Sequence, residues 1–483
     1  MQFIGDFHIH SHFSVATSRN LIPEYMSYWA YLKGITVLGT GDFTHPGWLA
    51  ELKEKLIPAE EGLYKLKPEY SLKLSPSPPR MQTPTPFSFP PSPSDVRFIT
   101  TGEISNIYKK NGKVKKVHNL IFTPSLEDAE KVQLKLAKIG NISSDGRPIL
   151  GLDSRDLLEI ILDASENSLL VPAHIWTPWF SVLGSNSGFD SVEECYTDLS
   201  KYITAVETGL SSDPPMNRIC SRLDPYILIS NSDAHSPENI GREANLLNTE
   251  ISYSGIIHAL SKTNTGRFLG TIEFFPQEGK YHFDGHRKCG VCFDPVSTIK
   301  NGGYCPVCGK KLTIGVMNRV AQLADRENFE NSIIDNTPFH SLIPLKQLLS
   351  EIHGAGIKTK KITYLYNSLI KNAGSELNLL LFTPLKKISE IGGDTLREGI
   401  RRMREREIYI KEGYDGEYGE IKVFSEEEVR SLVLKESLFE EQNTGGIRSS
   451  PPRRGLLDFS CLLYTSDAAD ELDGVDLGGR RII

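Results

Sequence analysis

The sequence lacks any run of about 18 consecutive apolar residues, and this absence argues against a transmembrane helix. Its first residues, MQFIGDFHIHSHF, have neither the basic start nor the apolar stretch of a secretory signal peptide. Cysteine is also scarce, with seven in 483 residues, so no disulfide framework is expected. From these absences we expect a cytoplasmic protein with no membrane partner.

An excess of positive charge is absent too, because 54 Lys and Arg residues stand against 61 Asp and Glu residues. Taken alone, the net charge of −7 argues against a nucleic-acid partner. The acidic surplus is concentrated in residues 426–483, however, which carry 12 acidic and 7 basic side chains. Lysine clusters at residues 109–116 and 358–361 are large enough for phosphate contacts, although solvated loops would explain them equally well.

The first 275 residues alternate strand-like and helix-like runs, which predicts an α/β fold with a mainly parallel sheet or barrel. Residues 71–95 interrupt this pattern with eight prolines and many Ser and Thr residues. Since proline removes backbone donors, we interpret this segment as an exposed insertion loop.

The C-terminal part changes character. Helical patterns recur over Gly315–Ala324, Leu345–His353, Ile362–Asn372 and Gly393–Glu405. The run YDGEYGEIKVF at 414–424 predicts a hairpin with an Asp-Gly turn. Residues 426–460 have the composition of a linker, and residues 461–483 resemble a translated sequencing adapter, to which we assign no biological meaning.

Potential metal ligands follow one strand-like run after another. His8 and His10 are two residues apart, so on a strand both imidazoles point to the same side. Later runs lead into further candidates: Asp42, Glu103, His118, His174, Asp233 and His235. Because the carboxyl ends of barrel strands meet at one face, we expect these eight residues to form a catalytic metal cluster.

The order of these motifs resembles the PHP (polymerase and histidinol phosphatase) superfamily. That resemblance implies a distorted (β/α)7 barrel which holds two or three divalent metals (Zn²⁺, Mg²⁺ or Mn²⁺) and cleaves phosphate esters. The sequence departs from the family at Thr40-Gly41-Asp42, where a histidine ligand usually stands in place of Asp42. Glu103 is the candidate for a ligand that bridges two metals.

Longer phrases narrow the resemblance to the endonuclease Q family. They are GTGDFTHPGW, VPAHIWTPWFS, VETGLSSDPPMN, ISNSDAHSPENIGREAN and FFPQEGKYHFDGHRKCGVC. The resemblance covers roughly residues 1–425 and implies a PHP barrel (1–278), a zinc ribbon (279–312) and a mainly helical domain (313–425). It implies cleavage of DNA on the 5′ side of hypoxanthine, uracil, xanthine or an abasic site in DNA repair. A UvrD-like helicase or a sliding clamp is a further expected partner.

Four of the cysteines have the spacing of a structural zinc site. Cys289, Cys292, Cys305 and Cys308 form two C-x2-C pairs separated by twelve residues. Four thiolates close a tetrahedral site and leave no position for a substrate. We therefore expect a structural Zn²⁺ bound by all four of these cysteines.

Aromatic and arginine residues near the motifs are candidates for contacts with damaged DNA. Trp176, Trp179 and Phe180 follow His174, and such side chains can wall a pocket for a flipped base, although packing in the core explains them as well. Arg218, Arg242 and Arg287 are candidates for phosphate contacts, with structural ion pairs as the alternative.

Two other functions remain open at this stage. A PHP phosphatase of a small phosphomonoester would need the same barrel ligands, and a non-catalytic lesion-binding module of a helicase would need the same DNA surface. The zinc ribbon and the added helical region favour a DNA endonuclease over the phosphatase. The ligand set favours an enzyme over the binding module.

Overall fold

The computed structural model describes residues 1–72, 85–261, 266–326 and 337–432. Residues 73–84 of the predicted proline-rich insertion, residues 433–460 of the predicted linker and all of residues 461–483 lie outside these ranges. Within the described ranges, no helix is long and apolar enough to cross a membrane.

Residues 1–275 form a mixed α/β unit. Its strands are β1 (Gln2–Asp6), β2 (Val37–Gly39), β3 (Leu56–Pro58), β4 (Leu63–Leu66), β5 (Arg97–Ile99), β6 (Thr101–Lys110), β7 (Lys113–Phe122), β8 (Ile149–Leu150), β9 (Leu169–Pro172), β10 (Ala205–Glu207), β11 (Ile227–Ile229), β12 (Ala244–Asn248) and β13 (Phe268–Glu273). Its helices are α1 (Pro23–Lys33), α2 (Pro46–Lys55), α3 (Leu126–Leu136), α4 (Ser154–Ala164), α5 (Val192–Tyr196), α6 (Pro214–Arg218) and α7 (Tyr253–Ala259).

Two further strands and two helices follow. The strands are β14 (Asp284–His286) and β15 (Val291–Phe293), and the helices are α8 (Pro295–Lys300) and α9 (Val316–Leu323). β14 and β15 form a small antiparallel hairpin. We call residues 279–312 the zinc module, after the metal site that their sequence predicts.

The remaining elements are mainly helical. They are β16 (Phe339–Ser341), α10 (Leu345–His353), α11 (Lys360–Ala373), α12 (Leu385–Arg404), β17 (Tyr409–Lys411) and β18 (Glu420–Lys422). The predicted Asp-Gly turn is present between β17 and β18, because Asp415 and Gly416 both have positive φ. α12 is interrupted at Gly393, where φ is 82° and ψ is 170°.

The strands of the α/β unit are divided among three sheets. One has eight strands in the order β16-β13-β12-β1-β2-β5-β4-β3, the second has the order β8-β6-β7-β9, and the third pairs β10 with β11. The predicted α/β class is confirmed, but the described strands are not hydrogen-bonded into one closed barrel. Antiparallel pairs are also more prominent than expected, since β6 and β7 form a long hairpin and β12 pairs antiparallel with β1 and β13.

The C-terminal helices pack directly on the α/β unit. β16 pairs in parallel with β13 and so extends the eight-stranded sheet. Lys33 of α1 and Glu376 form a buried ion pair of 2.8 Å. Phe87, at the end of the proline-rich segment, is buried and stacks on Phe382 at 4.8 Å. The expectation of an exposed loop is therefore wrong for this end of the segment, because its aromatic side chain fills the contact between the two parts.

Candidate active site

The first histidine pair and the last ligand pair lie on adjacent extended segments. Ile9, just beyond β1, forms a parallel bridge with Ala234, just beyond β11, and the amide of His10 donates to the carbonyl of Ala234 at 3.2 Å. In extended chains the residues on either side of a bridge point to the same face. This register directs His8 and His10 towards Asp233 and His235.

The first group of converging ligands comprises His8, His10 and Asp233, whose ligand atoms lie within 4.8 Å of one another. Nε2 of His10 is 2.9 Å from Oδ1 of Asp233, and Nε2 of His8 is 3.7 Å from the same oxygen. The ring of His235 lies 4.5 Å from that of His10, and its Nδ1 bonds the carbonyl oxygen of Asp233 at 2.9 Å. His235 borders this group, and its role as a ligand stays a prediction.

The second group comprises Glu103, His118 and His174. Oε1 of Glu103 lies 2.7 Å from Nδ1 of His118 and 3.1 Å from Nε2 of His174. Its other oxygen, Oε2, lies 3.6 Å from Nε2 of His8 and 3.5 Å from Nε2 of His10. Glu103 therefore turns one oxygen to each group, as a carboxylate bridging two metals must. His118 lies within β7 and not at a strand end, because β6 and β7 form a hairpin instead of parallel strands.

Glu207 is a site residue that the sequence reasoning missed. It ends β10, and both of its carboxylate oxygens lie 3.0 Å from Nδ1 of His8. It also accepts hydrogen bonds from the amide of His174 and the side chain of Asn231. A signal was present, since Glu207 follows a strand-like run just as the predicted ligands do.

Asp42 lies behind His10 and not in either ligand group. Its Oδ1 is 3.1 Å from Nδ1 of His10, while Oδ2 accepts from the amide and hydroxyl of Ser11 and from the hydroxyl of Ser14. Both oxygens are thus occupied by the protein. The contacts of Asp42 are those of a carboxylate that supports a metal-bound imidazole from behind, and its expected role as a ligand stays a prediction.

Three residues at the site adopt left-handed backbone conformations that cost side chains other than glycine on the order of 1–3 kcal/mol. They are Asp42 (φ 47°), His174 (φ 29°) and Asp233 (φ 46°), and each follows the end of a strand. Such strain persists only where surrounding contacts hold it, and it is typical of functional sites.

Burial and the neighbouring carboxylates shift the pKa values of the site histidines in opposite directions. Burial alone would lower the pKa of His8, but the carboxylates of Glu207 and Glu103 raise it well above its ordinary value. Burial likewise opposes protonation of His10, but Asp42 and Asp233 raise its pKa to about 9. Burial lowers the pKa of His118 to about 3, which leaves its imidazole in the neutral form that binds metals.

The residues fit divalent cations. Nε2 of His8 is buried and has no hydrogen-bond partner, although Nδ1 of the same ring is fixed by Glu207. A buried nitrogen without a partner is costly, and a metal ion would satisfy it. The two groups offer imidazole and carboxylate ligands, which suit Zn²⁺ and Mn²⁺. How many metals bind stays a prediction.

Arg147 is a second residue that the sequence reasoning missed. Its Nη1 lies 3.3 Å from Oε2 of Glu103, and its side chain is 15% exposed. It lies between α3 and β8, in a segment with no helical or strand periodicity, so no sequence signal pointed to it. Gly146 before it allows a close approach, because a Cβ there would lie 2.3 Å from Oδ2 of Asp42.

The three predicted aromatic residues have different surroundings. Trp176 is fully buried, and its indole nitrogen donates to Asn217 at 2.7 Å, so it is a core residue and not a pocket wall. Phe180 packs on the ring of His118 at 4.8 Å. Trp179 lies edge-to-face with Tyr281 at 6.3 Å, and both border a recess beside the site.

The three predicted arginines also differ. Arg218 is buried and donates to the carbonyls of Leu223 and Tyr226, which is a structural role. Arg242 donates from Nε to the carbonyl of Ser232 at 2.9 Å and so supports the loop that carries Asp233. Arg287 is exposed on the zinc module, and in the sequence it follows all the residues of the two ligand groups.

The zinc module brings together a different set from the four predicted cysteines. Cys289, Cys305 and Cys308 converge with His286, and their ligand atoms lie within 4.8 Å of one another. Cys292 is not in this group because it lies on the opposite face of β15. The spacing of the cysteines alone could not reveal this exchange.

One family model and two uncharacterized proteins match parts of the chain. The MJ0043 C-terminal domain family matches residues 344–407. An uncharacterized protein of Methanocaldococcus jannaschii, MJ0043, is 33% identical over 272 residues, which are 55% of this chain and 33% of that protein. The chain therefore spans about a third of the length of this relative. Uncharacterized protein YqxK of Bacillus subtilis is 28% identical over 63% of this chain and 74% of that protein.

Two solved structures are similar over most of the chain. The lesion-specific endonuclease PfuEndoQ from Pyrococcus furiosus superposes with a TM-score of 0.74 and 28% identity, covering 89% of this chain and 99% of the other. Endonuclease Q in complex with a 27-mer duplex that carries an abasic lesion at the active site gives 0.73 and 28%, covering 89% and 98%. The predicted resemblance to endonuclease Q is thereby supported.

Proposed function

We propose that this protein is a metal-dependent DNA endonuclease that hydrolyses the phosphodiester on the 5′ side of a deaminated base (hypoxanthine, uracil or xanthine) or an abasic site. The observation that carries the proposal is Glu103, shared between two groups of metal ligands, in a chain similar to a lesion-specific endonuclease over 89% of its length.

The proposed metal ligands are His8, His10, Glu103, His118, His174, Asp233 and His235. When bound, divalent metals lower the pKa of water and neutralise charge on the phosphate. Glu207 and Asp42 contact Nδ1 of His8 and of His10. These contacts fix the orientation of both rings, so that both Nε2 atoms stay directed towards the other ligands.

Arg147 is the proposed phosphate-binding side chain. Its guanidinium contacts Glu103 through Nη1 and carries further N–H groups for a phosphate oxygen. Because it is fixed beside the ligands, it would hold the scissile phosphate against both groups and stabilise the added negative charge of the transition state.

Basic and aromatic side chains around the site suit DNA. Nζ of Lys116 lies 4.8 Å from the ring of Phe180, which itself packs on His118. Lys115, on the same hairpin, lies over the ring of Phe189. This hairpin therefore carries positive charge close to the ligands, where it can contact the backbone on either side of the scissile phosphate.

The recess between Trp179 and Tyr281 is the proposed pocket for the damaged base. Thr177, which also borders it, places its hydroxyl 3.1 Å from Nδ1 of His174. The recess and the metal ligands are thus connected through one side chain. An enzyme that acts beside a damaged base can bind that base outside the stack between aromatic walls.

For the domain organisation we retain the phosphoesterase unit at 1–278, the zinc-binding module at 279–312 and the helical region at 313–425. β16 belongs to the sheet of the first unit although it lies in the third range. A helicase or a sliding clamp as partner stays a prediction, since none of the similar proteins named above is described as either.

The test uses the full chain with Mg²⁺ or Mn²⁺ and end-labelled oligonucleotides that carry one deoxyinosine, one deoxyuridine, one abasic site or no lesion. We expect a nick directly 5′ to each recognised lesion, none in the intact strand, and none with Asp233→Asn. Hydrolysis of p-nitrophenyl phosphate without nicking would instead favour the small-molecule phosphatase. Binding to lesion DNA without cleavage of the strand in the presence of either Mg²⁺ or Mn²⁺ would favour the non-catalytic binding module.

A further inference from the structure

Two loops of similar design face each other in the zinc module. In the first, His286 and Cys289 are three positions apart and Gly290 follows with φ 64°. In the second, Cys305 and Cys308 have the same spacing and Gly309 follows with φ 69°. Each left-handed glycine donates its amide back into its loop, to the carbonyl of Arg287 or of Cys305. The first loop therefore has a histidine where the second has its first cysteine.

The ligand atoms of these two loops are already within reach of one ion. Nδ1 of His286 lies 3.6 Å from Sγ of Cys308, and all four ligand atoms lie within 4.8 Å of one another. In a tetrahedral zinc site with Zn–S of about 2.3 Å and Zn–N of about 2.0 Å, ligand atoms are roughly 3.5–3.8 Å apart. Small adjustments would bring the set to this geometry.

The register of the β14–β15 hairpin explains why Cys292 is not in the set. Val291 is paired with His286, and its side chain packs against Cys305. Cys292 is the next residue, paired with Gly285, so it points to the other face of the hairpin. A Cβ built on Gly285 would lie 2.3 Å from the ring of Tyr414, which shows that this other face is turned towards the β17–β18 hairpin.

We propose that the zinc of this module is bound by His286, Cys289, Cys305 and Cys308, and that Cys292 is not a ligand. A one-residue slip of β15 would be needed to turn Cys292 inward, and it would expel Val291 from the small core. Three thiolates and a neutral imidazole leave the zinc site with one negative charge, whereas four thiolates leave two. The proposal does not depend on the nuclease assignment.

Alkylation of the unmodified full chain tests the proposal without any substitution. The zinc-loaded protein is treated with iodoacetamide at pH 8, and modified peptides are mapped by mass spectrometry before and after removal of zinc by a chelator. We expect chelation to make Cys289, Cys305 and Cys308 reactive, while the reactivity of Cys292, partly buried on the face turned towards the β17–β18 hairpin, stays the same. A gain in reactivity at Cys292 equal to that at the other three cysteines would overturn the proposal.

Cobalt substitution counts the thiolates independently. The two ligand groups of the active site contain no cysteine, so charge-transfer absorption of bound Co²⁺ reports the zinc module alone. We expect Cys292→Ser to leave this intensity unchanged, Cys305→Ser to lower it by about one third, and His286→Cys to raise it by about one third. A loss in Cys292→Ser with no change in His286→Ala would contradict the assignment. Circular dichroism identifies any variant that does not fold. For such a variant, the alkylation map of the unmodified chain decides which cysteines bind zinc.

Discussion

Both carboxylate oxygens of Glu207 lie 3.0 Å from Nδ1 of His8, on the side of the ring that faces away from the other metal ligands. The opposite nitrogen, Nε2, is buried without a partner. Glu207 therefore fixes both the tautomer and the direction of the proposed ligand.

We expect Glu207→Gln to weaken metal binding by about 10–100-fold, because residues behind metal ligands commonly contribute this much. Titration with Mn²⁺, followed by calorimetry and by nicking of a deoxyinosine substrate, measures the effect. Excess Mn²⁺ should restore much of the activity. Glu159→Gln, on the exposed face of α4, is the matched control. Unchanged Mn²⁺ affinity in Glu207→Gln would contradict this role.

Asp42 and Asp233 flank His10 from opposite nitrogens, and a matched pair of substitutions separates their roles. We expect Asp233→Asn to abolish nicking and to remove bound metal, because it deletes a ligand. We expect Asp42→Asn to lower Mn²⁺ affinity by about 10–100-fold while leaving measurable activity at high Mn²⁺. Complete inactivation of Asp42→Asn at every metal concentration would show that Asp42 is itself a metal ligand.

Trp176 and Trp179 are three residues apart but should respond differently to substitution. Trp176→Phe removes a buried hydrogen bond to Asn217 and should cost about 1–3 kcal/mol of stability without changing lesion preference. Trp179→Ala should raise the KM for lesion DNA with little effect on stability, since base–aromatic stacking contributes about 1–3 kcal/mol. Thermal unfolding and steady-state nicking measure the two effects. An unchanged KM in Trp179→Ala would argue against the proposed pocket.

Arg147→Ala should lower kcat/KM by about 10–100-fold, since hydrogen bonds to charged groups contribute about 1.5–3 kcal/mol. A role in phosphate binding also predicts weaker inhibition by inorganic phosphate, with the content of bound metal unchanged. Arg155→Ala is the control, because Arg155 pairs with Asp198 on the outer surface. If metal were lost from Arg147→Ala, its function would be to hold Glu103 and not the phosphate.

Local signals predicted several elements well. The bounds of α1 agree with the sequence because Pro23 opens the helix and Gly34, at φ 94°, ends it. The β6–β7 hairpin was not predicted, since its lysine-rich end lacks the apolar alternation of a strand. β16 was not predicted, because three residues outside any periodic pattern pair with β13 only in the folded chain.

The candidate site, too, was predicted from the sequence only in part. The rule that ligands follow strand-like runs predicted the six residues of the two ligand groups, although Glu103 and His118 lie within the β6–β7 hairpin and not at carboxyl ends. The same rule reaches Glu207 when it is applied to every strand. It cannot distinguish a metal ligand from a carboxylate that supports a ligand, which is why the sequence alone leaves the role of Asp42 undecided. Arg147 depends on a loop conformation and His286 on the pairing of β14 with β15, and no periodicity encodes either.

Glu278 offers a test of the contact between the α/β unit and α10. Its carboxylate accepts a hydrogen bond from Gln347 at 3.0 Å, and burial in this contact raises its pKa to about 7. The unfolded chain has the ordinary glutamate value near 4.5. Below that pH both states hold the proton, so the carboxyl contributes no pH dependence there.

Between about pH 4.5 and pH 7 the unfolded chain releases the proton of Glu278 while the folded chain keeps it, so stability falls as the pH rises. Above pH 7 the full cost is present, on the order of 3 kcal/mol. We therefore expect Glu278→Gln, which keeps an acceptor for Gln347, to unfold at a higher denaturant concentration than the parent at pH 8 and at nearly the same concentration at pH 4.5. Urea unfolding at both pH values measures this difference, with Glu159→Gln as the exposed control. An equal effect of Glu278→Gln at the two pH values would show that the pKa of Glu278 is the same in the folded and the unfolded chain, and that α10 does not bury the carboxyl.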